Sequence, residues 1–349
     1  MKKNKIINLC IIIVVFLAGM SLIKPPGNNE ASEETVSVHK SGFLLNTFVD
    51  VTVYGTEDTA LLDGALALCK EYEDRFSRTV ETSEIYRLNH RSREEQTFTL
   101  SDETASLIRT ALHYSEISHG AFDITTEPLS SLWNFTGEDH VIPPEDAIEQ
   151  AVTKVDYRNL KLEENTLTFL SPDTTIDLGA IAKGYIADRI KDYLLEAGVT
   201  SATINLGGNV LCIGERPNGA PFRIGLQKPF AERKETFAIL AVNDMSVVTS
   251  GVYERHFTID GKNYHHILDP GTGYPFDNGL ISVTILSKDS VDGDALSTTC
   301  FSLGLHGGLQ LVNSMDNVYA CFIDENYNIY YSDGMDAFIL QETKTGSAG

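Results

Sequence analysis

Three short stretches carry side chains whose types and spacing suit phosphate and proton chemistry. DLGAIAKGYIAD, Asp177 to Asp188, reads as the end of a strand (Thr175, Ile176, Asp177) that breaks at Gly179 and becomes an apolar-striped helix. Unpaired amides at a helix start attract anions, and Gly179 lets a ligand approach the backbone closely. Asp177 and Lys183 bring opposite charges to that corner, the usual seat of a nucleotide-like ligand in an α/β protein. HHILDPGTGYP, His265 to Pro275, ends a strand in two histidines, an Asp-Pro and a Gly-Thr-Gly turn, so His266 and Asp269 can converge on the same corner. In DGDALSTTC, Asp292 to Cys300, Asp294 and Thr298 stand four apart on one helix face. A carboxylate and a hydroxyl pointing the same way are hard oxygen ligands that suit Mg²⁺, which takes further oxygens from water and phosphate. The plainer alternative is a capping Asp and a core-facing Thr, and Asp292 itself reads as the helix cap.

Softer signals surround these. NLGGNVLCIG, Asn205 to Gly214, sets paired glycines between two strands, either for a tight turn or for a close approach to a ligand. GAFDIT, Gly120 to Thr125, leaves a helix end with an aromatic and an Asp. SGVYER, Ser250 to Arg255, offers Tyr253, Glu254 and Arg255, for which a surface salt bridge is the ordinary outcome. Tyr86, Trp133 and Phe135 are rings that can lie against a planar ligand, with core packing as their default.

The elements that must position these groups follow from periodicity. Thr47 to Tyr54 alternates as a half-buried strand, and Leu61, Leu62, Ala65, Leu68, Cys69, Tyr72 and Phe76 stripe a helix over about 58–77. Ser101 caps a second helix that Gly120 stops, and Pro143 and Pro144 precede a short third one ending near Val155. Leu160 to Leu162 and Thr166 to Leu170 form a hairpin leading into the Asp177 corner. Beyond Gly198 strands dominate: Ala202–Leu206, Val210–Ile213, Phe222–Gln227, Phe237–Val242, Val247–Thr249, Val252–Ile259, Tyr264–Leu268 and Leu280–Leu286. Asp260 and Gly261 turn the hairpin between Ile259 and Tyr264, a helix follows Asp292, and Tyr319–Ile323 and Tyr327–Tyr331 close the body. Without internal repeats or a long inner linker, the expected fold is one interleaved α+β domain of mixed sheets and helices, with two lobes as a variant.

The 349 residues carry a formal net charge of −22. Because Lys2, Lys3, Lys5 and Lys24 are the charges of residues 1–24, the remainder stands at −22 − 4 = −26. So acidic a body argues against nucleic acid or anionic lipid as the main partner, and it obliges a polyphosphate ligand to find a metal ion or a local positive field. At the N-terminus, lysines precede an apolar run from Ile6 to Ile23, about long enough to span a bilayer. The run reads as an uncleaved signal anchor, with a cleaved signal peptide as the alternative, followed by a polar linker to an extracytoplasmic body. Cys10 lies in that run, while Cys69, Cys212, Cys300 and Cys321 sit apart in apolar contexts, as buried free thiols do.

DLGAIAKGYIAD, NLGGN, SGVYER, HHILDPGTGYP and DGDALST, in this order and together with GAFDIT, resemble the ApbE family of FAD:protein FMN transferases over about Gly42 to Leu340. The resemblance implies an extracytoplasmic, membrane-anchored enzyme that binds FAD and Mg²⁺. Such an enzyme cleaves the pyrophosphate, attaches FMN through a phosphoester to a Thr or Ser of a target protein and releases AMP. Targets of that family are flavin-carrying subunits of membrane redox complexes or secreted flavoproteins. It further implies a metal on the Ala180 carbonyl and on Asp294 and Thr298, and an FAD site lined by Ala121, Phe122, Asp123, Asp177, Lys183 and Leu268. His266, which begins the HxxDP element, is implied as the base for the acceptor hydroxyl. The implied layout is an anchor or signal peptide at 1–24, a linker at 25–40, the ApbE-like domain at 41–341 and a tail at 342–349. Two positions depart from the family pattern. Phe76-Ser77-Arg78-Thr79 stands where an aromatic usually follows Met-Ser, which leaves Tyr86 as a candidate for stacking on the flavin, and Leu45 replaces a common Met. An FAD pyrophosphatase, using water in place of the hydroxyl, and a non-catalytic flavin-binding protein are the alternatives to a transferase.

Overall fold

A computed structural model describes residues 36–137, 140–232 and 235–342. The chain opens with the hairpin β1 (Ser37–Leu44) and β2 (Thr47–Tyr54), so strand structure reaches back into the stretch read as a linker. The expected anchor at 1–24, and the tail beyond Glu342, lie outside the described residues. In β2 the alternation of TFVDVTVY puts Val49, Val51 and Val53 wholly inside.

Helix α1 (Ala60–Phe76) lays Leu62, Ala65, Cys69, Tyr72 and Phe76 on the core, as its stripe predicts. A short α2 (Glu84–Asn89) and β3 (Thr97–Thr99) lead to α3 (Asp102–Ile117), capped by the Ser101 hydroxyl accepting from the Thr104 amide. After α3 the chain reverses through His119 and Gly120, both at positive φ. Next come α4 (Glu127–Trp133), α5 (Glu145–Val152) and the hairpin β4 (Leu160–Glu163) and β5 (Thr166–Phe169). Then α6 (Ala182–Glu196) precedes a run of strands: β6 (Ser201–Leu206), β7 (Asn209–Gly214), β8 (Phe222–Gln227), β9 (Thr236–Val242) and β10 (Ser246–Gly251). The short hairpin β11 (His256–Ile259) and β12 (Lys262–His265) turns on Asp260 and Gly261, both at positive φ as that turn requires. Strand β13 (Leu280–Ser287), the long α7 (Ser290–Asn313), β14 (Tyr319–Asp324), β15 (Ile329–Tyr331) and β16 (Ile339–Glu342) complete the body.

Eight strands form one antiparallel sheet in the order β1-β2-β6-β7-β10-β13-β14-β15, with smaller sheets β16-β9-β8, β3-β5-β4 and β11-β12. All eight residues of β13 are buried, as befits a strand near the middle of the sheet. Most buried apolar side chains share one core, while Leu129, Trp133, Ile148, Ala151, Phe257 and Leu268 form a second, smaller cluster under α4, α5 and the β11-β12 hairpin. The mixed α+β expectation holds, with this second cluster lying within the same compact body as the main core.

Three local expectations need correcting. Thr175 to Asp177 belongs to no strand. The Asn89 side chain pairs with Ile176 in both directions, at 2.7 and 2.8 Å, and the Ile124 carbonyl accepts the Asp177 amide at 2.8 Å. With those bonds met, no neighbouring strand is needed. Val252–Ile259 is not one strand, because Val252 to Arg255 turns out of β10 before β11 begins. Asp292 does not cap α7. Asp289 holds the cap position without a side-chain capping bond, and Asp188 of α6 takes the Ser290 and Val291 amides, each at 2.8 Å. Asp292 instead accepts from the Tyr114 hydroxyl at 2.8 Å, tying α3 to α7. Cys69, Cys212, Cys300 and Cys321 are buried free thiols, as read, and burial pushes Cys69, Cys212 and Cys300 up to about 12. No helix among the described residues is long and apolar enough to cross a membrane.

Candidate active site

Helices α6 and α7 cross so closely that a β-carbon at Gly184 would lie 2.2 Å from the Ser290 carbonyl oxygen, so only glycine fits. That contact lets the Gly184 amide donate to Asp294 Oδ2 at 2.9 Å, while Lys183 Nζ stands 3.5 Å from Asp294 Oδ1. Asp294 is 4% exposed, yet its second oxygen meets only this long ion pair and keeps capacity for a cation or a ligand. One turn along α7, Thr298 Oγ1 is 3.2 Å from Ser250 Oγ of β10, which also meets Ser297 Oγ at 2.7 Å.

These groups open into a cleft of about 780 Å³. Its lining includes all ten residues singled out from the sequence: Ala121, Phe122, Asp123, Asp177, Ala180, Lys183, His266, Leu268, Asp294 and Thr298. Bringing them together takes the loop after α3, the corner before α6, the strand end after β12 and the first half of α7. In sequence they span most of the body.

The cleft also redefines several roles. The Asp123 carboxylate is spent on its own loop, accepting from the Thr125 amide and hydroxyl at 2.7 and 2.6 Å and from the Tyr157 amide at 2.8 Å. Asp123 therefore shapes the wall, and the backbone of Ala121 to Asp123 is what it leaves for a ligand. Asp177 accepts the Gly179 amide at 2.9 Å and lies 3.3 Å from Arg78 Nε, so both of its oxygens are engaged at the cleft wall. Asp269 knits the DPGTG turn through the Gly271 amide and the Thr272 hydroxyl, each at 2.9 Å, and is absent from the lining.

His266 is half-buried and lines the cleft, with Nδ1 3.3 Å from the Arg255 carbonyl. A carbonyl only accepts, so Nδ1 carries the hydrogen and Nε2 keeps its lone pair. Desolvation first, and then the Arg255 guanidinium, hold the imidazole well below the usual histidine range and therefore neutral.

The aromatic expectations divide. Trp133 is buried, donating to the Gly273 carbonyl at 2.7 Å, and belongs to the minor core. Tyr86 stacks on His90 at 3.8 Å and stands outside the cleft lining, so it is not placed to meet a flavin ring. Phe135 does line the cleft, with Phe76, Arg78 and Thr79 of the departing motif and Leu45 of the first hairpin turn. Arg78 and Ser250 were missed in the sequence. Arg78 looks there like a solvated charge after a helix, and Ser250 opens a motif noticed for its Tyr-Glu-Arg.

Among the described residues, no three His, Cys, Asp or Glu side chains gather in a cluster able to hold a metal. A cation at Asp294 would thus rest on one carboxylate and on neutral oxygens such as those of Thr298 and the Ala180 carbonyl, residues that line the same cleft. That donor set fits Mg²⁺ sharing a ligand's phosphates.

The sequence model of the ApbE family matches residues 45–323. An FAD:protein FMN transferase from Klebsiella pneumoniae (strain 342) is 39% identical over 294 residues, covering 84% of this chain and 90% of the relative. One from Vibrio cholerae serotype O1 is 30% identical over 329 residues, covering 91% and 97%. Among solved structures, the flavin transferase ApbE from Vibrio cholerae matches with a TM-score of 0.78 at 27% identity, over 87% of this chain and 99% of that one. The ApbE protein from Thermotoga maritima matches with a TM-score of 0.80 at 31% identity, over 88% and 100%. In fold, therefore, the chain stands with the flavin transferases, sharing their mixed α+β architecture along its described length. It belongs to the ApbE family.

Proposed function

We propose that the protein is an FAD:protein FMN transferase, which cleaves the FAD pyrophosphate, attaches FMN by a phosphoester to a Ser or Thr of an acceptor protein and releases AMP. The observation that carries this reading is the convergence of Lys183, Asp294, Thr298 and the neutral His266 on one cleft. The names of the relatives support it. Breaking a pyrophosphate needs its charge neutralised and the attacking oxygen aligned. Lys183 supplies a fixed positive charge beside Asp294, and the Ala121–Asp123 backbone and Leu268 give the flavin nucleotide its walls. Bound Mg²⁺, held by Asp294, Thr298 and Ala180, would neutralise charge on the phosphate oxygens. His266 Nε2 would accept the proton of the acceptor hydroxyl as it attacks, and the negative charge of the bound nucleotide would raise its basicity at that moment. We further propose that the 1–24 segment anchors the protein in the cell membrane with the catalytic body outside the cytoplasm, facing flavin-accepting subunits of membrane redox complexes or secreted flavoproteins.

The test incubates purified protein with FAD, Mg²⁺ and an acceptor protein, and follows both AMP and fluorescent covalent flavin. Free FMN with no covalent product would replace the transferase reading by a pyrophosphatase one. Asp294→Ala is expected to lower AMP release by about 10²–10³-fold with the fold intact by circular dichroism. Unchanged release would remove Asp294 from the reaction.

A further inference from the structure

A line of hydroxyls runs from the backbone of α7 to the cleft. Ser297 Oγ lies 2.9 Å from the Asp294 carbonyl oxygen, Ser250 Oγ lies 2.7 Å from Ser297 Oγ, and Thr298 Oγ1 lies 3.2 Å from Ser250 Oγ. A carbonyl only accepts, so the Ser297 hydroxyl donates to it. That spends the single hydrogen of Ser297, and Ser250 must donate to Ser297. Its own hydrogen then being spent, Ser250 can meet Thr298 only as an acceptor. All three contacts are hydrogen bonds in this one direction. Reversing the chain would leave the Ser297–Asp294 contact as two acceptors facing each other without a hydrogen.

The inner end of this line is dry, since Ser297 is wholly buried and Asp294 nearly so. Its middle is fixed by the large sheet, where Ser250 of β10 stands opposite Val283 of β13. Its outer end is open: Thr298 is half-buried and lines the cleft with Ser250 and Asp294. Among the described residues the Thr298 hydroxyl has no hydrogen-bond partner besides Ser250. Its hydrogen is thus drawn toward β10, and its lone pairs remain.

We infer that Ser250 is the positioning residue of the Thr298 hydroxyl: by taking its hydrogen, Ser250 makes Thr298 offer lone pairs to a divalent cation shared with Asp294. The inference rests on the Mg²⁺ reading above and adds to it the group that orients a ligand. A neutral hydroxyl binds a cation through a lone pair, and one that is free to turn its hydrogen inward binds it less well. Partners that hold a ligand's hydrogen elsewhere therefore strengthen a metal site without touching the metal.

The experiment titrates Mn²⁺, which takes the same oxygen ligands as Mg²⁺, into protein with AMP present and reads binding as loss of the free-ion electron paramagnetic resonance signal. Wild type is compared with Ser250→Ala, Thr298→Val and the double variant. Ser250→Ala is expected to weaken Mn²⁺ affinity about tenfold, the low end for a group that orients a metal ligand. Thr298→Val removes the hydroxyl at nearly the same shape and should lose at least as much. In the Thr298→Val background the Ser250→Ala step should cost less than about twofold, because Ser250 acts only through that hydroxyl. An equal loss from Ser250→Ala in both backgrounds would overturn the inference in favour of a general loosening of β10 against α7. Wild-type affinity in Ser250→Ala would overturn it too. If wild type binds no Mn²⁺, or Thr298→Val binds it as wild type does, the metal reading itself falls and this inference with it, whereas a loss in Thr298→Val that Ser250→Ala does not share sinks the inference alone.

Discussion

His266 shows how one backbone contact can decide a side chain's chemistry. The Arg255 carbonyl at Nδ1 leaves Nε2 as the acceptor, and burial with the Arg255 guanidinium keeps the ring neutral. The HxxDP pattern made the histidine visible in the sequence, but nothing there disclosed the carbonyl, because the chain turns through Val252 to Arg255 where a continuous strand is expected. The same segment hid Ser250, whose hydroxyl reaches Thr298 only once β10 has been laid against α7. His266 lies at the wall of the cleft; on the proposed reading it serves the acceptor rather than the nucleotide, so His266→Ala should bind FAD within about twofold of wild type while flavin transfer falls about 10²–10⁴-fold. Transfer at the wild-type rate, read as fluorescent covalent product, would exclude it as the base.

At the scale of elements, the site depends on the crossing of α6 and α7. The Asp188 carboxylate caps α7, the Gly184 backbone touches Ser290, and its amide reaches Asp294. Gly184→Ala would place a methyl 2.2 Å from a backbone oxygen that has no rotamer to escape by. The helices must then separate, at a cost of about 1–3 kcal/mol in denaturant-measured stability. Transferase activity should fall with it, and a variant as stable as wild type would show that the crossing can give way. The apolar stripe of the corner's helix, the Ser101 cap, the Asp260-Gly261 turn and the alternation of β2 were legible because each is a local pattern. The capping of α7 was not, since the carboxylate comes from another helix while Asp292, next to the helix start in sequence, is drawn away by Tyr114. The bonding of Ile176 was hidden for the same reason, its partner being the side chain of Asn89 in α2 rather than a strand.

For the molecule as a whole, acid stability is set in part by imidazoles that must stay neutral inside it. His265 is 5% exposed, with Nε2 3.0 Å from the Phe276 carbonyl, and burial lowers it from 6.5 to about 4. Between those values the unfolded chain binds the proton and the folded one does not, so this contribution to stability falls as pH is lowered through the window. Asp188 has the opposite sign. Burial pushes it up from 3.8 to about 7 despite the two amides that favour its charge, so the folded state holds that proton and its contribution falls as pH rises. The histidine is isolated by difference: relative to wild type, His265→Asn should gain about 1 kcal/mol per pH unit on going from pH 6 to pH 5. Unfolding curves whose separation does not change with pH would show that His265 titrates normally.

The order of strands in the large sheet has a consequence for the timing of the protein's making. Val49 of β2 has no neighbour on its inner side until Leu206 of β6 arrives, and the cleft then waits for β13 and α7 before Asp294 and Thr298 exist in space. A chain emerging from its N-terminus therefore passes through about a third of its length with Lys183 already made but its carboxylate partner Asp294 still to come. Loop closure over such separations is slow compared with local helix formation. The cleft is thus among the last features to appear, and a chain halted before α7 would carry the corner at Asp177 with nothing to set against it.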